Sequence, residues 1–304
     1  MISVVIPVKD GGADLARCLD AVGRQVVEHE VEVVVVDSGS RDGSAELARS
    51  RGARVHEIPA SEFGHGRTRN LGAELAQGEI LVFTSQDAFA VDETWLARLV
   101  APLGSGVRFA GVYGRQLPHD DATPPERYFL NFLYGPEPRV QRLDEGEGEL
   151  DFEQTLFSNV NAAMPRVIWR EFPFADDMIM SEDQEWSRRV LEAGYELVYE
   201  PGAAVHHSHR YSIAAAFRRF FDSGVSAERS YAADGGGSGA LRRAGARYAR
   251  GEVCWLWESG QRRWIPYAAA YELAKFTGMQ LGRRHRRLPL ALKRRLGALQ
   301  SYWD

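Results

Sequence analysis

Four consecutive valines, Val33-Val34-Val35-Val36, stand between charged stretches. A strand that is apolar on both sides of its pleat must be covered on both faces, and a parallel sheet between two helical layers does that. Residues 2–7, 54–58 and 80–84 are further short strand-like runs rich in branched and aromatic side chains. Between them the apolar residues fall at helical spacing: Leu15, Cys18, Leu19 and Val22, then Ala45, Leu47 and Ala48, then Leu71, Ala73, Leu75 and Ala76. Asp14 is placed to cap the first of these helices. Strands alternating with helices of this length predict βαβ units and a right-handed, mainly parallel sheet. Ligands of such sheets lie beyond the carboxyl ends of the strands. Asp87, after the strand at 80–84, is therefore a candidate, although an Asp there is equally a common turn residue.

The length of 304 residues suits one large domain, or a domain with an appendage, and an apolar fraction of 44% can fill its core. No run of eighteen apolar residues is present, so no spanning helix is expected. The N-terminus reads as a first strand rather than a signal peptide. The two cysteines, Cys18 and Cys254, lie far apart without metal-ligand spacing, which suits a reducing, cytoplasmic setting.

Further along, residues 95–100 predict a helix, and residues 106–117 a strand ending near Arg115. Residues 118–151, rich in Pro, Glu and Gly, read as a long loop, either a binding segment or a solvated insertion. Ser181 is placed to cap a helix running to Gly194, with Glu182 and Asp183 in its first turn, a common place for acids opposite the helix dipole. His206, His207 and His209 follow a strand directly. Imidazole and carboxylate together suit Mn²⁺ or Mg²⁺.

The segments Val4-Val5-Ile6-Pro7-Val8, Val35-Val36-Asp37-Ser38-Gly39-Ser40-Arg41-Asp42-Gly43-Ser44 and Arg69-Asn70-Leu71-Gly72 occur in the order and spacing of family 2 glycosyltransferases, which the chain resembles over roughly residues 2–210. The stretch from Phe63 to Ala73, followed by Thr84-Ser85-Gln86-Asp87-Ala88, is similar to the rhamnosyltransferase subgroup. The resemblance implies the GT-A fold, a nucleotide-sugar α/β architecture with a mixed, mainly parallel sheet, here carrying a C-terminal helical appendage. It also implies a nucleoside-diphosphate sugar as donor, dTDP-L-rhamnose by subgroup, and an inverting transfer to a saccharide or lipid-linked saccharide in surface-polysaccharide assembly. Asp37 then receives the nucleotide base, with Ser38 beside it and Pro7 and Asp10 flanking, and Arg69 contributes to the donor site. The family's Asp-x-Asp metal motif here reads Ser85-Gln86-Asp87, so Ser85 replaces the first acid and Asp87 remains for the metal. Phe157 to Met164 corresponds to the family strand on the acceptor side, although Asn159 and Asn161 equally suit backbone-satisfying roles. Asp183 takes the place of the catalytic base, with Glu182 the alternative. A histidine about two dozen residues after the base completes the metal site in related enzymes. His207 lies 24 residues after Asp183, and His209 is the second choice.

Domain boundaries are expected at 1–210 for the catalytic part and 211–304 for the helical part. Residues 213–221 are an amphipathic helical pattern, and residues 233–239 a glycine-rich linker. The end of the chain combines Trp255, Trp257 and Trp264 with the basic segments 283–287 and 293–295. That combination suits an anionic membrane surface. It also suits nucleic acid, a partner the glycosyltransferase reading does not call for. Peripheral attachment to the inner membrane face is the corresponding expectation. A nucleotidyltransferase and a catalytically degenerate nucleotide-sugar-binding subunit are the alternatives. Against the first, Asp10-Gly11-Gly12 carries little positive charge.

Overall fold

The computed structural model describes residues 1–105, 108–143, 150, 152–230 and 237–303. In chain order these form β1 (Ile2–Val8), α1 (Gly12–Gly23), β2 (Val31–Asp37), α2 (Ser44–Ser50), β3 (Arg54–Glu57), α3 (His65–Leu75), β4 (Ile80–Thr84), β5 (Phe89–Ala90), α4 (Trp95–Val100) and β6 (Phe109–Leu117). Then come α5 (Pro124–Leu133), β7 (Arg139–Gln141), β8 (Asn161–Pro165), α6 (Arg166–Glu171), α7 (Glu182–Glu192) and β9 (Glu196–His206). Four helices close the chain: α8 (Ile213–Ser230), α9 (Gly237–Glu258), α10 (Ile265–Gly282) and α11 (Leu290–Leu296).

One sheet runs in the order β3-β2-β1-β4-β8-β6-β9-β5, with β7 pairing to β9. The β3-β2-β1-β4 half is parallel throughout. Beyond β4 the sheet is mixed: β8 is antiparallel to both β4 and β6, while β6 and β9 are parallel. The two-residue period of a strand sends alternate side chains to opposite faces. Val4 and Ile6 of β1, with Val35 and Val82, meet Leu15 and Leu19 of α1 and Leu96 of α4. Val5, with Val34, Leu81 and Phe83, meets Ala73 of α3, Trp169 of α6 and Trp186 of α7. The valine run is thus buried between two helical layers, as its composition requires.

Three local expectations are corrected. Asp14 does not cap α1, which starts at Gly12 and takes Gly11 as its cap; Asp14 sits in the first turn, where its charge faces the helix dipole. Residues 118–151 are not one long loop, because α5 and β7 lie within them. Thr123 and Glu126 form a reciprocal capping box, with Pro124 in the first turn. Prolines at that place start a helix rather than prevent one. The amphipathic helix at 213–221 continues to Ser230 as α8. Of the expected linker, residues 233–236 lie outside the described residues.

The C-terminal helices are tightly joined. At Gly282 of α10 a Cβ would lie 2.0 Å from the Phe221 carbonyl oxygen of α8, so only glycine permits this backbone approach. The wholly buried Asp222 of α8 accepts hydrogen bonds from the amides of Ala298 and Leu299 at 2.8 and 3.0 Å, fixing the segment after α11. No helix among the described residues is long and apolar enough to cross a membrane.

Candidate active site

The strand ends converge as the α/β architecture demands. Asp87 follows β4, and His207 and His209 follow β9. Their ligating atoms all lie within 4.8 Å of one another. His207 Nε2 is 3.7 Å from Asp87 Oδ1, and His209 Nδ1 is 3.6 Å from Asp87 Oδ2. Both histidines thus meet the one carboxylate. Burial, with the neighbouring His209 and Arg219, pushes the His207 pKa well below its ordinary value. Burial likewise lowers that of His209, although Asp87 opposes the shift. Neutral imidazoles are what a metal needs.

Gln116, near the end of β6, settles which nitrogen of His207 is free. Its Oε1 lies 2.9 Å from His207 Nδ1, while its Nε2 donates to the Tyr134 and Ser158 hydroxyls at 2.9 and 3.0 Å. With its NH₂ group so used, the amide presents an oxygen to the ring. Nδ1 then carries the proton and donates it to Gln116, leaving the Nε2 lone pair directed toward Asp87. One carboxylate and two neutral imidazoles fit a divalent ion such as Mn²⁺. Partners of this kind tune metal affinity by about 10- to 100-fold. Gln116→Leu is therefore expected to weaken Mn²⁺ binding by roughly 10- to 100-fold in calorimetric titration. Unchanged affinity would mean that the ring needs no such partner.

Glu182 and Asp183 are neighbours in the first turn of α7, yet their surroundings differ. Arg69 of α3, buried like Glu182, donates from Nη1 to Glu182 Oε1 at 2.8 Å. Burial alone would raise the Glu182 pKa, but Arg69 and the adjoining His65 outweigh it and hold the carboxyl below its ordinary range. Among the described residues Asp183 has no arginine of its own. Its Oδ2 accepts from the Asn159 amide at 3.1 Å and its Oδ1 from the Gln184 amide at 2.9 Å. Burial and the adjacent Glu182 charge push its pKa up to about 7. Asp183 lines a cavity and keeps partial access to solvent, and that access tempers the effect of burial. It is thus a proton acceptor poised near neutrality.

Ser181, expected to cap α7 with its side chain, makes no such bond and is left-handed instead, with φ 61°. Among the described residues the other non-glycine with positive φ is Asp10, φ 45°. Backbone strain of this kind costs roughly 1–3 kcal/mol and gathers at functional sites. The approach to α7 is held by Asn70, whose amide makes four bonds to Trp169, Phe174 and Asp176. At Gly66, just before it on α3, a Cβ would stand 2.2 Å from the Ala175 carbonyl oxygen, so glycine is required there.

At the end of β2, Asp37 Oδ1 accepts from the Ser40 amide at 2.8 Å, while its buried Oδ2 and the Ser38 hydroxyl have no partner among the described residues. Asp10 Oδ1 accepts from the Arg41 amide at 2.8 Å, so the turns after β1 and β2 are tied together. Pro7 pairs with Val36 near the end of β1, just before this junction. Gln86 grips the Lys9 backbone from both sides, accepting from its amide at 2.8 Å and donating to its carbonyl at 3.0 Å. Its amide therefore braces β4 against β1. The Ser85 carbonyl accepts from the Ala88 amide at 3.0 Å and turns the chain toward Asp87.

The family model for glycosyl transferase family 2 matches residues 3–162. The O-antigen chain rhamnosyltransferase RfbN of Salmonella typhimurium is 33% identical to the chain, over 100% of this chain and 96% of the relative. The chain belongs to glycosyl transferase family 2. A second relative, the O-antigen chain rhamnosyltransferase WbaN of Salmonella anatum, is 32% identical over 90% of this glycosyltransferase and 86% of its own length. Among solved structures, the mannosyltransferase PcManGT of Pyrobaculum calidifontis, in complex with GDP-Man and Mn²⁺, matches 99% of the chain and 76% of its own. Its TM-score is 0.56 at 19% identity, which establishes the shared fold. Membership sets aside the nucleotidyltransferase alternative.

Several residues around His207 and Asp183 were not singled out from the sequence. Gln116, Tyr134 and Ser158 support His207, and Arg219 and Tyr211 join Asp183, His207 and His209 around one cavity of about 300 Å³. Gln116 stood at a strand end facing the site, the one signal that could have marked it. The two expected acceptor-side asparagines divide. Asn161 is spent inside the fold, accepting from Trp95 Nε1 at 2.8 Å and donating to the Ala203 carbonyl at 2.8 Å. Asn159 serves Asp183 through its amide and Glu182 through its side chain at 3.4 Å.

Proposed function

We propose that this glycosyltransferase moves L-rhamnose from dTDP-L-rhamnose to a saccharide carried on a lipid, with inversion at the anomeric carbon, during assembly of a bacterial surface polysaccharide. The observation that carries the reading is that Asp183, His207 and His209 line one cavity. Asp183 takes the proton of the acceptor hydroxyl as its oxygen attacks the anomeric carbon. The carbon–oxygen bond to the diphosphate breaks on the opposite face, and no covalent link to the protein forms. Asp87, His207 and His209 would hold a divalent ion, which when bound neutralises charge on the departing diphosphate. The partnerless Asp37 Oδ2 suits one N–H of a pyrimidine base, with Ser38, Pro7 and Asp10 around it. Ser85 stands where an acid would otherwise meet the donor, and Arg69 acts on the site through Glu182. The choice of rhamnose is supported by the two Salmonella relatives, both O-antigen chain rhamnosyltransferases.

The test is nucleoside-diphosphate release, with Mn²⁺, from a panel of dTDP-L-rhamnose, GDP-mannose, UDP-glucose and UDP-galactose. Release is expected to be fastest from dTDP-L-rhamnose. A faster UDP- or GDP-sugar would replace the donor assignment, and no release from any donor would revive the degenerate-subunit alternative.

Peripheral attachment to an anionic membrane is part of the same proposal. Arg284, Arg286, Arg287, Arg294 and Arg295 are exposed on and before α11, although Arg286 also meets Glu228 at 3.1 Å. Each basic residue near an anionic surface contributes about 1 kcal/mol. Sedimentation with phosphatidylserine vesicles is expected at low salt and lost at high salt. Absence of binding at low salt would leave these residues as a solvated face.

A further inference from the structure

A second cavity, of about 550 Å³, lies between α5, α8, α9 and α10. Its walls include Leu133 of α5, Phe220 of α8, Ala249 of α9, and Phe276 and Met279 of α10. Phe129, Phe220, Tyr248, Lys275 and Met279 belong to this groove and also to the cavity that holds Asp183, so the two spaces share a wall. The buried cation in that wall is already neutralised. Lys275 Nζ lies 2.8 Å from Glu272 and stands over the rings of Phe129, Phe220, Tyr248 and Tyr271 at 4.6 to 5.6 Å. With that cation engaged and the walls mostly hydrocarbon, the groove is poorly suited to a charged or sugar-like occupant.

The mouth of the groove is apolar as well. Phe132, Leu273 and Phe276 all line it, with 36%, 62% and 51% of their surfaces exposed. Clustered exposed apolar side chains of this kind mark a surface that meets an apolar partner. The Asp183 cavity on the other side of the shared wall indicates which one.

Building on the proposed reaction, we propose that this groove takes the hydrocarbon chain of the lipid that carries the acceptor saccharide. The saccharide hydroxyl then lies at Asp183 while the chain leaves through the mouth between Phe132 and Phe276. Because one wall serves both spaces, few sugars fit between the reacting hydroxyl and the chain. The groove thus selects short saccharides on long aliphatic carriers over extended glycans.

The experiment measures binding directly, apart from transfer. Geranylgeranyl diphosphate is titrated against the full chain below its micellar concentration, with methyl diphosphate as the chainless control. The prenyl compound is expected to bind roughly 30-fold more tightly or better, the scale that a few buried methylenes supply. Ala249→Trp, which fills the groove, should remove most of that preference. Phe276→Glu, an exposed change at the mouth that the fold readily bears, should do the same. Neither should alter Mn²⁺-dependent nucleotide release from the donor. Equal binding of the two diphosphates, or a preference that survives both substitutions, would overturn the groove assignment. A chain preference lost in both variants upholds the groove even where no sugar donor turns over, a result that would instead overturn the proposed reaction.

Discussion

Asp183→Asn is expected to lower transfer by about 10²- to 10⁴-fold, the contribution of a well-placed general base, while donor binding stays close to wild type. The amide has nearly the shape of the carboxylate but cannot take the acceptor's proton. The pH dependence gives a sharper reading than the loss alone. Burial and the adjoining Glu182 charge raise the Asp183 pKa to about 7, so the base is protonated below that pH. In the wild type, kcat/KM should fall about tenfold per unit as pH drops below about 7 and level off above it. The residual activity of Asp183→Asn should lack that limb. The same shift has a sign for stability. A carboxyl raised in the folded state contributes fully below the ordinary carboxylate range, and that contribution is lost as pH rises through about 7. Near-normal turnover in Asp183→Asn, with the acidic limb intact, would move the base to another residue.

Arg69→Met should be the most destabilising single change at the site. Both members of the Arg69–Glu182 pair are buried, with side-chain exposures of 9% and 5%. Removing one partner of a buried pair typically costs about 3–5 kcal/mol, because the other charge is left without compensation. A melting temperature lower by roughly 5–15 °C follows for a chain of this size. Arg69 is what holds the Glu182 carboxyl low against its burial, so in the variant that carboxyl rises and takes up a proton more readily. The loss should therefore be largest at pH 8 and shrink as pH falls toward the carboxylate range. Adding Glu182→Gln should recover much of the stability, since the double variant buries no unpaired charge. A pH-independent loss of stability, not relieved by Glu182→Gln, would show that Arg69 matters through packing instead.

The places of Asp37, Asp87 and His207 at strand ends were legible because each closes or follows a short apolar run. The run of valines from 33 to 36 implied helices on both faces, and β2 has them. The stretch containing α5 misled because Pro124 and Pro125 resemble loop residues until Thr123 and Glu126 are read as a capping box. Beyond its place at a strand end, nothing in the sequence showed that Gln116 supports His207: the two are 91 residues apart, and a hydrogen bond between side chains leaves no periodic trace in the chain.

The pair Glu182-Asp183 shows where the division falls. From the sequence alone one can place both acids in the first turn of a helix, in a segment like that of family 2 glycosyltransferases, and leave either as the base. Their different proton affinities depend on Arg69, 113 residues earlier, which reaches Glu182 and leaves Asp183 without a close cation of its own among the described residues. Local patterns report which residues are buried and on which face, because that follows from the repeat of the strand or helix. A carboxyl's proton affinity depends instead on the charges and desolvation around it, and only the tertiary structure brings those together. The two adjoining cavities have the same origin: their common wall joins α5, α8, α9 and α10, and no one of these helices carries its shape.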